Sequence, residues 1–180
     1  MKKRSQVLLA VILFSFIISL NTLEAYGQEK IKWYTIEEVQ KLTIDHPRKI
    51  FIDVYTDWCG WCKKMDATTF QDPRIIEKLN NNFYAVKLDG EGKEEIMFKD
   101  KVFKFVPQGR RGYHELAAAM MNGKLSYPTT VYLDEQLNII QPIPGYMTVD
   151  NLEPILIFLG ENYYKKQTWQ EFLAQNYSKN

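Results

Sequence analysis

The sequence predicts an α/β domain with a central mixed sheet flanked by helices, and three observations carry that expectation. A run of β-branched and aromatic residues, Ile50–Tyr55, contains one charge, Asp53, and reads as a central strand buried on both faces. A helix-compatible segment follows it, and then a second β-rich run, Phe83–Leu88, which gives the strand, helix, strand order of a parallel crossover. Farther on, Thr129–Leu133 and Leu137–Gln141 are joined through Asp134 and Glu135 as an antiparallel hairpin. The 180 residues, 46% hydrophobic and 14% aromatic, supply one substantial core and are too few for two ordinary domains.

The elements follow in chain order. Lys2, Lys3 and Arg4 precede an apolar stretch from Val7 to Ile18 that only Ser15 interrupts, and Ala25-Tyr26-Gly27 places small residues where a signal peptidase reads. The apolar stretch is shorter than the roughly 20 residues a bilayer span needs. Residues 1–27 therefore read as a signal peptide and 28–180 as an exported, periplasmic domain, with a membrane anchor as the alternative if the segment is not cleaved. Removing residues 1–27 takes away three basic residues and Glu24, which leaves 20 basic and 21 acidic residues and a formal charge of −1. So balanced a chain carries no global field for nucleic acid.

Thr35 and Glu38 form a capping-box pattern ahead of Val39 and Leu42, opening a short helix that Pro47 stops. Asp72-Pro73 reads as an N-cap followed by proline in the first turn, opening a helix through Leu79. From Gly90 to Gly123 the composition turns charged, then basic at Arg110 and Arg111, then helical over Glu115–Met121, with Gly123 as the stop. This segment, about 90–123, reads as a helical insertion, with Arg110 and Arg111 a solvated face and His114 a surface or packing residue. Asp150–Leu159 is a closing helix, and residues 161–180 form a C-terminal extension whose Trp169, Phe172 and Leu173 share one helical face that packs on the domain.

The two cysteines of the chain are three apart, in Cys59-Gly60-Trp61-Cys62, and staple no distant segments, so their role is chemical. Cys59 falls at the start of a helix, where unpaired N–H groups and the helix dipole stabilise a thiolate, and Cys62 lies one turn on. In that arrangement Cys59 is exposed between Trp58 and Trp61 and attacks, while Cys62 faces inward and resolves the mixed disulfide. The spacing by itself is also that of half a zinc site, an inert short disulfide or a copper-chaperone loop. Zinc needs four ligands, and the other soft candidates, His46 and His114, match no ligand spacing.

The segment Phe51-Ile52-Asp53-Val54-Tyr55-Thr56-Asp57-Trp58-Cys59-Gly60-Trp61-Cys62-Lys63 resembles the active-site strand and helix of the thioredoxin superfamily. That resemblance implies a thioredoxin fold with the insertion placed before a cis-proline loop at Tyr127-Pro128-Thr129. It also implies a buried acid at Asp53 that exchanges a proton with the inner cysteine, with Lys87 as its neighbour. Trp58, Gly60, Trp61, Tyr127 and Pro128 would then shape the substrate groove. A carboxyl inside an apolar strand has its pKa raised by desolvation, which suits that proton transfer.

Thr69-Phe70-Gln71-Asp72-Pro73, together with Asp57-Trp58-Cys59 and Cys62-Lys63, is similar to the C-terminal domain of transmembrane thiol-disulfide interchange reductases, which implies a reducing role. The redox cofactor would be the Cys59–Cys62 disulfide itself, with no metal. The partners would be disulfide-containing or thiol client proteins, plus a membrane or soluble redox partner that recycles the disulfide. The chain departs from thioredoxin in having Gly-Trp between the cysteines, a dipeptide that tunes redox poise, so an oxidase or isomerase is the alternative direction. From another class, a binding module would use the insertion and the Trp169 face, with the cysteines dispensable.

Overall fold

The computed structural model describes residues 29–177; residues 1–27, read from the sequence as a signal peptide, lie outside the described residues. A two-residue strand, β1 (Trp33–Tyr34), leads into helix α1 (Ile36–Asp45). The capping box is present: the Thr35 hydroxyl accepts from the Glu38 N–H at 3.1 Å, and the Glu38 carboxylate accepts from the Thr35 N–H at 2.7 Å. Next come strand β2 (Lys49–Tyr55), helix α2 (Gly60–Ala67), a 3-10 turn at Thr69–Gln71, helix α3 (Pro73–Asn82) and strand β3 (Phe83–Asp89). Asp72 caps α3 by accepting from the Arg74 N–H at 2.9 Å, and Pro73 occupies the first turn, where no N–H is needed.

β2 pairs in parallel with β3, so that Asp53 stands beside Lys87, and antiparallel with β8 (Thr129–Leu133), so that Asp53 also stands beside Thr130. β8 in turn pairs antiparallel with β9 (Ile139–Pro144), and the sheet order is β1-β3-β2-β8-β9. Central placement explains why β2 is apolar on both faces. Ile50, Ile52 and Val54 enter one core cluster with Val86, Val131 and residues of α1. Phe51 enters the other with Phe83, Tyr132, Met65 of α2, and Ile75 and Leu79 of α3. Helix α5 (Val149–Gly160) closes that second face with Leu152 and Leu156. Mixed sheet and flanking helices are as the sequence predicts.

The segment between β3 and β8 corrects the expectation of a helical insertion. It consists of two antiparallel hairpins, β4 (Ile96–Phe98) with β5 (Lys101–Phe103) and β6 (Phe105–Gln108) with β7 (Arg111–His114), before one short helix, α4 (Glu115–Met120). Phe98 and Phe103 enter the core while Met97 and Val102 stay exposed, the period-two alternation of strands. Lys99 and Asp100 make the first turn with φ of 48° and 61°, a primed hairpin turn built without glycine. His114 is fully buried at the root of the second hairpin: its Nδ1 accepts from the Leu116 N–H at 3.2 Å, capping α4, and its Nε2–H donates to the Glu94 carbonyl at 3.0 Å. Every polar atom of that imidazole is committed to structure.

The extension after α5 holds a 3-10 turn at Tyr163–Lys165 and helix α6 (Trp169–Asn176). Phe172 is its buried anchor, ringed by Phe158, Tyr163, Trp169 and Tyr177 with centroids 5.0–5.8 Å away. No helix among the described residues is long and apolar enough to cross a membrane.

Candidate active site

β2 delivers the chain to the site. Beyond Tyr55 a tight turn, closed by the Cys59 N–H donating to the Thr56 carbonyl at 3.1 Å, sets Cys59 as the N-cap of α2. Cys59 and Cys62 are joined as a disulfide, and the Cys62 N–H donates to Cys59 Sγ at 3.1 Å. That donor is one of the orphan N–H groups of the helix start, already aimed at the sulfur that would carry a thiolate. Sequence reasoning placed Cys59 in the open; instead Cys59 is 4% exposed and Cys62 2% exposed. The disulfide draws both sulfurs against the helix end, and the exposed surface belongs to Trp58 and Trp61, 50% and 57% exposed.

Two aromatic pairs flank the disulfide. Trp58 meets Tyr127 edge-on with centroids 5.9 Å apart, and Trp61 lies 5.2 Å from Tyr146 with the Lys64 ammonium 4.9 Å from its ring. Tyr127-Pro128 is a cis peptide and immediately precedes β8. Gly90 allows the Tyr127 ring its place, since a Cβ there would fall 2.4 Å from a ring carbon. Burial, then the carboxylates Glu91 and Asp89, push the Tyr127 phenol up to about 12, so it stays a neutral donor. Gly60 opens α2 with no atom crowding its Cβ position.

Beneath this surface Asp53 is 1% exposed. One of its oxygens, Oδ2, accepts from the Lys87 ammonium at 2.6 Å, while Oδ1 is buried without a hydrogen-bond partner. Burial pushes the Asp53 carboxyl above its ordinary range, and Lys87 only partly offsets it. Lys87 is itself penalised by burial, yet Asp53 and then Asp66 hold its ammonium above the ordinary lysine value. Trp33, Phe70 and Tyr55 present ring faces 4.9, 5.1 and 5.3 Å from the same nitrogen.

Asp66, which also accepts from Lys87, was missed by sequence reasoning. Its signal was its spacing, four residues after Cys62 and so on the same helical face. Tyr146, brought in by a loop, and Lys64, on α2 beside Trp61, were missed as well, and Arg111, read as solvated surface, is brought in by the second hairpin. Among the described residues no group of three or more His, Cys, Asp or Glu is placed to hold a metal.

Comparison with known proteins fits this geometry. The thioredoxin-like domain family matches residues 36–160, more than half of the chain. The chain belongs to the thioredoxin-like family. Within curated proteins it is similar to the thiol:disulfide interchange protein DsbD of Haemophilus ducreyi, 43% identical over 53 residues, which cover 29% of this chain and 9% of that one. It is also similar to DsbD of Haemophilus influenzae strain 86-028NP, 25% identical over 119 residues, or 63% of this chain and 17% of that one. The chain thus matches about a tenth to a sixth of the length of these relatives. A solved thioredoxin-fold protein from Helicobacter pylori superposes with a TM-score of 0.54 at 18% identity, covering 83% of this chain and 89% of that one, which shows the thioredoxin fold.

Proposed function

We propose that the protein is an exported thiol-disulfide oxidoreductase that reduces disulfides of extracytoplasmic client proteins. The observation that carries this reading is the Cys59–Cys62 pair at the start of α2, with a backbone donor on Cys59 Sγ and a buried, half-satisfied carboxyl at Asp53 in the strand that feeds it. In the dithiol form, the Cys59 thiolate attacks one sulfur of a client disulfide; that S–S bond breaks, and the client's other sulfur leaves as a thiolate and takes up a proton. Cys62 then passes its proton to Asp53 and attacks Cys59 Sγ, which releases the second client thiol. Two electrons have moved to the client, and the Cys59–Cys62 disulfide remains. A membrane or soluble redox partner returns it to the dithiol.

What the site offers a thiolate supports the reducing direction. An oxidant is strong when its reduced form is stabilised, as by a strongly lowered thiol pKa. Here one helix start favours the Cys59 thiolate, while near-complete burial opposes it. That balance supports a reducing poise. Export is supported by the basic residues Lys2–Arg4, the apolar stretch and Ala25-Tyr26-Gly27, and N-terminal sequencing of the protein from the extracytoplasmic fraction tests it.

Single-cysteine variants test the chemistry. Cys59→Ser should abolish insulin-disulfide reduction, and Cys62→Ser should accumulate a covalent client adduct on Cys59, visible by mass spectrometry. Reduction that persists in Cys59→Ser would sink the assignment.

A further inference from the structure

The hairpin that replaces the expected helix reaches the redox site. Its root is tied to the active-site strand: the His114 N–H donates to the Gly90 carbonyl at 2.7 Å, and the Gly90 N–H donates to the Tyr55 carbonyl, the last residue of β2, also at 2.7 Å. Tyr127 packs against Gly90 and meets Trp58 edge-on. The tip is a two-residue turn, Gly109-Arg110, with Gly109 at φ 60°, and it sets the first residue of β7, Arg111, opposite Gln108. From there the Arg111 guanidinium lies 4.3 Å from the centre of the Trp58 ring, the residue directly before Cys59.

Stacking on a tryptophan face fixes a guanidinium while leaving its N–H edge free. The Arg111 side chain is exposed and makes no hydrogen bond or ion pair among the described residues. This sets it apart from Lys87, Lys49, Lys104 and Arg74, each of which has a carboxylate partner. Glu91 and Asp89 act on Tyr127, yet neither comes within ion-pair distance of Arg111. A positioned, unpaired guanidinium beside the reactive disulfide suits a carboxylate on an incoming polypeptide, which it can take in a two-pronged hydrogen bond.

We propose that Arg111 is a specificity-determining residue that favours clients with an aspartate or glutamate flanking the target cysteine. This rests on the oxidoreductase reading and adds a substrate class to it. The β6–β7 hairpin is then one wall of the client groove, and Trp58 is its floor.

The test uses the mature protein and two disulfide-containing peptides that differ only in glutamate or glutamine next to one cysteine. The wild-type chain should reduce the glutamate peptide with a kcat/KM about three- to fivefold higher, the discrimination that an exposed ion pair supports. The preference should shrink as salt rises from 50 to 500 mM. Arg111→Gln should bring the ratio to one and Arg111→Glu should invert it, while Arg110→Gln, a change at the unstacked neighbour, should keep it. A wild-type ratio of one, or equal loss in Arg110→Gln and Arg111→Gln, overturns the proposal. A chain that reduces neither peptide refutes the oxidoreductase reading instead. The ratio is then read from peptide binding to the oxidised protein by tryptophan quenching, where equal affinities overturn the role of Arg111.

Discussion

Replacing Asp53 with asparagine should make the protein more stable and slower at once. Asp53 is almost wholly buried, and its Oδ1 has no hydrogen-bond partner, so its ionised form bears an uncompensated desolvation penalty. A neutral polar group left unsatisfied in the interior costs about 1–3 kcal/mol and an ionised one more, so the amide, which also leaves a polar atom unpaired at the Oδ1 position, recovers only the difference. Asparagine removes the charge at nearly constant volume, and Lys87 keeps Asp66 as a partner. The expected gain at pH 7 is therefore about 1 kcal/mol, or about 2–4 °C in Tm for a domain of this size.

The pH dependence supplies the sign. The folded carboxyl titrates above its ordinary 3.8, so wild-type stability falls as pH rises from 3.8 through the folded value, while the asparagine variant does not titrate there. The two proteins should be alike in acid and diverge toward neutrality. Denaturant titrations from pH 3.5 to 8 read this difference. Disulfide exchange should drop about 100- to 10,000-fold, the scale of a lost proton acceptor, with the mixed disulfide accumulating. A variant that is less stable at pH 7, or that differs from wild type equally at both ends of the range, would refute the reasoning.

Two further outcomes are expected. Glu135→Gln should destabilise the fold by about 1–3 kcal/mol, because it removes the charged partner of Lys49, which is 3% exposed and 2.7 Å from Glu135, and leaves the ammonium only neutral acceptors such as the Gly160 carbonyl at 3.4 Å. Burial opposes ionisation of Glu135 but Lys49 outweighs it, so this contribution is present above the ordinary value of 4.5 and is lost as pH falls through the lower folded value; denaturant curves of variant and wild type should converge in acid. Phe172→Ala should cost about 3 kcal/mol by opening a cavity under α6, with amide exchange accelerated across Trp169–Asn176 and unchanged in β2; uniform loss of protection would contradict a locally anchored extension.

Elements with local chemistry of their own were legible in the sequence. Thr35 with Glu38, Asp72 with Pro73 and the apolar run of β2 each carry their signal within a few residues, and the structure places a cap, a cap and a central strand there. The 90–123 insertion was misread because β4 and β5 have three residues each, too few for alternation to stand out, and because Lys99 and Asp100 turn the chain without glycine. The cysteine pair was visible in its spacing and the Asp53–Lys87 contact through the resemblance to the thioredoxin superfamily, and the parallel register of β2 and β3 sets those two side by side. Arg111 was not: its distance from Cys59 along the chain is bridged only by the hairpin, and a basic pair in a polar segment looks like solvated surface until a tryptophan is found beneath it.

The most direct measurement is the reduction potential of the purified protein, equilibrated against graded glutathione and dithiothreitol mixtures and followed by tryptophan fluorescence with thiol trapping. A reducing centre at Cys59 and Cys62 predicts a single two-electron transition near or below about −270 mV, absent in Cys59→Ser. A transition at about −120 to −180 mV would contradict the reducing direction, and a disulfide that equilibrates with neither buffer would contradict the redox centre itself.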